Sequence, residues 1–135
     1  MTNNGGHTSL YAASYNGHTN IMKILLTKDA ATDITDVRGR SPLFVASRNG
    51  HVEVVQLLIE ANATIDQIDN AGDSPLTISS YKGHLDVVVV LVSNEADINH
   101  IGDGKTALEW AKNRRHDDIV EFLTNYTIVQ EVKIT

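Results

Sequence analysis

Six histidines are the residues of this chain best suited to metal ligation or proton transfer, and their spacing decides whether they can act together. His18, His51 and His84 each follow a glycine and stand 33 residues apart. Histidines at that period fall one to each stacked structural unit, about 10 Å from the next, too far to close around one ion. They are expected to cap the turns that follow the glycines. His7, His100 and His116 have no carboxylate or cysteine at ligand spacing, and the chain has no cysteine at all. Disulfides, thiolate metal sites and a cysteine nucleophile are therefore excluded. Asp103-Gly104-Lys105-Thr106 is similar to the end of a phosphate-binding loop, but that loop requires glycine where Asn99 stands. The segment reads as a turn followed by a threonine cap. No serine pairs with a histidine and an acid in a recognisable order. The residues thus point to no catalytic, metal or cofactor site, and the chain is not expected to be an enzyme.

Composition narrows the class further. With 135 residues, 41% of them hydrophobic and 21% charged, the chain suits one globular unit. Aromatic residues make up only 5%, which favours thin, regular helices over a bulky single core. The start, Met1 to His7, lacks the basic and apolar regions of a secretory signal, so the chain is expected to be intracellular and cytoplasmic. The sequons at Asn62 and Asn125 would then go unused. The longest apolar run, Val87 to Val92, is far short of the roughly 20 residues that span a membrane. A net charge of -6 disfavours binding to nucleic acid.

The elements that carry these residues repeat. Gly17-His18, Gly50-His51 and Gly83-His84 share their period with Leu10, Leu43 and Leu76 and with Gly6, Gly39 and Gly72. A fourth copy lies one residue short, with Gly104, Leu108 and Arg115-His116 in the corresponding places. Thr8, Ser41, Ser74 and Thr106 suit helix N-caps, and Pro42 and Pro75 suit a first helical turn. Gly17, Gly50 and Gly83 can take the left-handed conformation that ends a first helix after about two turns. Second helices then carry apolar residues at helical spacing, such as Val54, Val55, Leu57 and Leu58. One such unit cannot bury this surface alone, so neighbours must stack.

Four units in register over about residues 3–126 resemble the ankyrin repeat family, whose pattern runs Asp-x-x-Gly-x-Thr-Pro-Leu, a short helix, Gly-His and a longer helix. The resemblance implies an all-α ankyrin-repeat solenoid of stacked helix-turn-helix units with hairpin-like turns between repeats. The repeats fall at about 3–34, 35–67, 68–99 and 100–126 in one domain, 1–126. Residues 127–135 alternate β-branched and polar types and read as a C-terminal tail or linker, extended if ordered. Departures from the pattern stand out. Tyr11, Phe44, Thr77 and Glu109 replace the histidine that usually follows leucine, so the expected threonine-histidine network between repeats is missing. Asp29, Asn62 and Glu95 replace the glycine closing the second helix, and Glu95 pays about 1 kcal/mol for a left-handed backbone. Repeat three, with that residue and a valine run of low helix propensity, is the expected weak link. Asn99 is similar to an asparagine hydroxylated in some members of the family, though a turn asparagine accounts for it.

Function follows from the same resemblance, which implies a non-catalytic module binding a protein through the concave groove of turn tips and first-helix ends. Carried over residue by residue, that groove comprises Val37, Arg38, Arg40, Ile68, Asn70, Asp73 and Lys105 from the tips. Tyr15, Arg48, Asn49, Tyr81, Lys82 and Arg114 come from the helix ends. Six basic residues against Asp73 and Asp103 make it +4 on a chain otherwise at -10. An acidic and aliphatic partner segment is expected, with the chain itself a monomer. Phe44 and Trp110 read as packing between repeats. A targeting or regulatory segment of a larger enzyme or channel is the alternative, and a nucleic-acid binder a weaker one.

Overall fold

A computed structural model describes residues 7–134. Four helix pairs stack side by side in it: α1 (Ser9–Asn16) with α2 (Thr19–Thr27), α3 (Pro42–Asn49) with α4 (Val52–Glu60), α5 (Pro75–Lys82) with α6 (Leu85–Ser93), and α7 (Ala107–Asn113) with α8 (Asp117–Ile134). The first helices of successive repeats pack into an inner layer, the second helices into an outer one. None of these helices is long and apolar enough to cross a membrane. Each inner helix starts where its cap dictates: Thr8, Ser41, Ser74 and Thr106 accept the backbone N–H of the residue three places on. At Asp36–Arg40 and Asp69–Asp73 the connecting chain folds into hairpin turns, each with an aspartate carboxylate receiving two backbone N–H groups of its own turn.

Burial shows that each repeat is completed by the one before it. Val54, Val87 and Ile119 occupy one position of the outer helix in repeats two to four and are fully buried. Ile21 holds that position in repeat one and is 48% exposed. The residue type is apolar in all four, so only the neighbour differs. Asp29, Asn62 and Glu95 do adopt left-handed φ values of 55°, 66° and 69°.

The glycine and histidine of the repeated pair serve different repeats. Gly17, Gly50 and Gly83 end the inner helices at φ 73°, 77° and 85°. The histidines, expected to cap the turns that follow the glycines, stand at the N-caps of the outer helices and make no side-chain cap hydrogen bond there. Instead His51, His84 and His116 reach back one repeat, their Nε2 donating to the carbonyls of Tyr15, Arg48 and Tyr81 at 3.0, 2.9 and 2.9 Å. These carbonyls close the inner helices and have no partner within them. A carbonyl only accepts, so Nε2 carries the hydrogen in each ring. Each ring lies against the glycine of the preceding repeat: a Cβ on Gly50 would stand 2.7 Å from His84 Nδ1, and one on Gly17 2.6 Å from His51 Nδ1. The missing threonine-histidine network is thus replaced by a ladder of histidines, to which Asn70 adds bonds to the Arg38 and Val37 carbonyls. In repeat four Arg115 takes the glycine's place at φ 61°.

The expected tail is part of α8, which runs through Asn125 and Tyr126 to Ile134. Its β-branched residues lower helix propensity, but the first half of α8 is already packed through Ile119 and Leu123. Once that half is formed, each further residue adds a backbone bond without the cost of starting a helix.

Gly50→Ala should cost clearly more than Gly72→Ala, since φ is positive at both but a Cβ on Gly72 meets nothing within 4 Å. Urea unfolding should put Gly72→Ala at about 1 to 2 kcal/mol and Gly50→Ala above it. His84→Ala should recover part of the excess in the double variant. Equal costs at the two glycines would mean the ring contact contributes nothing.

Candidate functional site

On the inner face the groove residues separate into those the fold uses and those it leaves available. Arg40 belongs to the first set. Its Nε stands 2.7 Å from Asp36 Oδ2, and the Tyr11 hydroxyl donates to the same oxygen at 2.6 Å. Asp36 is buried, which by itself would raise its carboxyl, but the bonds from Tyr11, Arg40 and the Arg38 N–H outweigh burial and hold it below the usual range. Burial and the bond to Asp36 together push the Tyr11 phenol well up. This triad ties repeat one to repeat two, where tyrosine had been read only as a missing histidine. Asn49 donates to the Tyr15 carbonyl and Asn70 to that of Val37, so both amides also hold repeats together. With Asp36 and Asp69 beside the groove, its net charge falls from +4 to +2.

Arg48, Lys82, Lys105 and Arg114 form the second set. Among the described residues the ion pair of Arg40 with Asp36 is the only one, so these four cations have no carboxylate within salt-bridge distance. Aromatic rings hold three of them. Lys82 Nζ lies 5.7 Å and the Arg114 guanidinium 4.7 Å from the Tyr81 ring centre, and Lys105 Nζ 5.0 Å from that of Trp110. Tyr81 and Trp110 meet edge to face at 5.1 Å, and the Trp110 Nε1–H donates to the Gly102 carbonyl at 2.7 Å, fixing the indole. Together with Arg48, Thr77, Ile78, Asp73 and Asp103 they line a depression of about 360 Å³ across repeats two to four.

Three of the cations sit at one end of this depression because Arg48, Lys82 and Arg114 stand in or beside the last turns of α3, α5 and α7, where the helix dipole favours positive charge, whereas Lys105 stands on the turn before α7. Asp73 and Asp103 stand at the other end, on the turns before α5 and α7. Burial, and then the charges of Asp69 and Asp103, raise the Asp73 carboxyl, with His100 offsetting part of the effect. Asp73 Oδ1 lies 2.6 Å from where a Cβ on Gly102 would be, so only glycine at 102 leaves it room.

Six residues assigned to the groove from sequence meet in this depression: Arg48, Asp73, Tyr81, Lys82, Asp103 and Arg114. Arg38, Arg40 and Asn70 line a second, shallower one that shares Arg48, Asp73 and Ile78 with the first. Val37 and Ile68 project from the tips, 71% and 48% exposed, while Tyr15 is 42% exposed beside Tyr11. Lys105 reaches the site through the Trp110 ring. Trp110 itself, read as packing, walls the depression. A signal for it was present: Ala12, Val45 and Ile78 hold its place in the earlier repeats, and the size rises along the stack.

A sequence model described as ankyrin repeats (3 copies) matches residues 1–69 and 61–134. The chain belongs to the ankyrin repeat family. No curated protein matches it. Ankyrin repeats are generally protein–protein interaction modules, and the match, reaching residue 134, includes the helical extension of α8.

Asp36 and Asp73 should respond oppositely to substitution and to pH. A carboxyl held below its ordinary 3.8 stabilises the fold above that value, and the contribution is lost as pH falls through the lowered value. Asp36→Asn should therefore lower the urea midpoint at pH 7. A carboxyl raised above 3.8 favours the fold fully only below that value, and the benefit is lost as pH rises through the raised one. Asp73→Asn should raise the midpoint at pH 7 and have no effect at pH 3; a lowered midpoint at pH 7 would show that ionised Asp73 is stabilising.

Proposed function

We propose that this ankyrin-repeat chain is a non-catalytic adaptor or scaffold that holds a segment of a partner protein in its concave groove, centred on Tyr81 and Trp110. The observation carrying the reading is the set of cations on that face, Arg48, Lys82, Lys105 and Arg114, none paired with a carboxylate among the described residues and three held over aromatic rings. Rings fixed by packing and hydrogen bonds lose little freedom when a partner binds, which is what an interface anchor requires. Exposed cations gathered around them steer an acidic partner toward the groove. The chain acts as a monomer in this reading, with Ile68 and Val37 extending the apolar contact along the tips.

A photo-crosslinking residue at Ile78 in the groove, compared with one at Gln56 on the outer helix α4, tests the reading in cells that contain the chain. A partner should attach at the groove position, and its affinity for the purified chain should fall about tenfold or more in Tyr81→Ala and Trp110→Ala. Attachment at Gln56 alone, or affinity indifferent to both substitutions, would place the interface elsewhere. Raising the salt concentration should slow association with the unaltered chain and slow it less in Arg48→Glu/Lys82→Glu.

A further inference from the structure

The depression between Tyr81 and Trp110 is charged oppositely at its two ends. Lys82 closes α5, and Asp73 stands two residues before its first residue. At 1.5 Å per helical residue they are roughly 13 Å apart. α7 repeats the arrangement beside it, with Asp103 before the helix and Arg114 after it. The two inner helices pack together, each running from its turn tip to its corner, so Asp73 neighbours Asp103 at one end, where Lys105 lies over the Trp110 ring, and Lys82 neighbours Arg114 at the other. Between the ends lie Ile78 and the two aromatic rings.

We infer that this depression takes a partner segment carrying an acidic side chain and a basic side chain about four residues apart, with an apolar residue between them. An extended chain advances about 3.3 Å per residue, so four residues cover the roughly 13 Å between the charged ends. The acidic side chain lies among Arg48, Lys82 and Arg114, where a guanidinium can bind a carboxylate through two parallel bonds. The apolar residue rests on Tyr81 and Trp110. The basic side chain enters between Asp73 and Asp103, two carboxylates that otherwise repel each other. A purely acidic segment would cover that pair without neutralising it, at a cost in desolvation. The inference narrows the acidic and aliphatic partner expected from sequence, and it rests on the groove being the binding face.

Panning a displayed library of random twelve-residue peptides against the whole purified chain tests it, with the same library panned against two variants. The unaltered chain should enrich peptides in which an acidic and a basic residue stand three to five positions apart around an apolar one. Lys82→Glu/Arg114→Glu changes two exposed side chains that make no bond needed by the fold, and it should weaken the enriched peptides about tenfold or more, by fluorescence anisotropy. Asp73→Asn/Asp103→Asn should remove the preference for the basic residue and keep that for the acidic one. Enriched peptides that are acidic or apolar without a basic residue, yet are weakened by Lys82→Glu/Arg114→Glu, would overturn the two-ended site and leave the groove as the binding face. Peptides indifferent to both variants, or no enrichment at all, would count against the groove itself.

Discussion

One contact recurs through the molecule and sets the geometry of everything on it. The histidine at the corner of repeats two, three and four donates to a free carbonyl in the last turn of the inner helix before it, and its ring rests where a glycine leaves space. An inner helix of seven or eight residues is too short to be stable alone, and its C-terminal carbonyls would otherwise be satisfied only by water. The contact meets both needs at once, because it spends no residue of the helix it completes. Each rung contributes on the order of 1 kcal/mol, but its larger effect is to fix the pitch between neighbouring repeats.

That pitch decides what the concave face can offer. Inner helices α3, α5 and α7, held side by side, put Arg48, Lys82 and Arg114 in one row, and the turns before α5 and α7 put Asp73 and Asp103 in another, so helix dipoles that would act singly become a surface with two charged ends. The same placement that stabilises each helix therefore builds the groove. Tyr81 and Trp110 add rigidity, since one ring meets the other edge-on and the indole is tied to Gly102. Groove and frame are separable only in part, and Arg40 marks the boundary: it faces the groove yet belongs to the buried Asp36 carboxylate.

Departures from the regular repeat are resolved case by case. The tyrosine at position 11 finds Asp36 in the next repeat, whereas Thr77 closes a capping box with Ser74, and Glu109 does so with Thr106. Three residue types at one repeat position thus make two kinds of bond, one to the next repeat and two to the cap of their own helix. Glu95 holds a left-handed backbone at φ 69°, and Arg115 does the same in repeat four at φ 61°.

Much of the architecture was legible in the residues, because caps, left-handed glycines and helical spacing are local rules that act within a few residues of chain. The four units, the starts of their inner helices and the hairpin turns all follow from them, whereas the residues of the groove came from the family resemblance. What those rules could not carry was any bond across about 25 to 36 residues. His84 next to Gly83 reads as part of its own corner, and only stacking shows that it belongs to the helix ending at Arg48. Asp36 reads as a turn aspartate until Tyr11 and Arg40 are found on the same oxygen. Residues 127–134 carry a pattern suited to an extended segment, and a packed helix before them overrides it. The sequence by itself determined the repeating unit, since its signals are short-range; tertiary structure decided which charges remained free, since pairing depends on neighbours a whole repeat away.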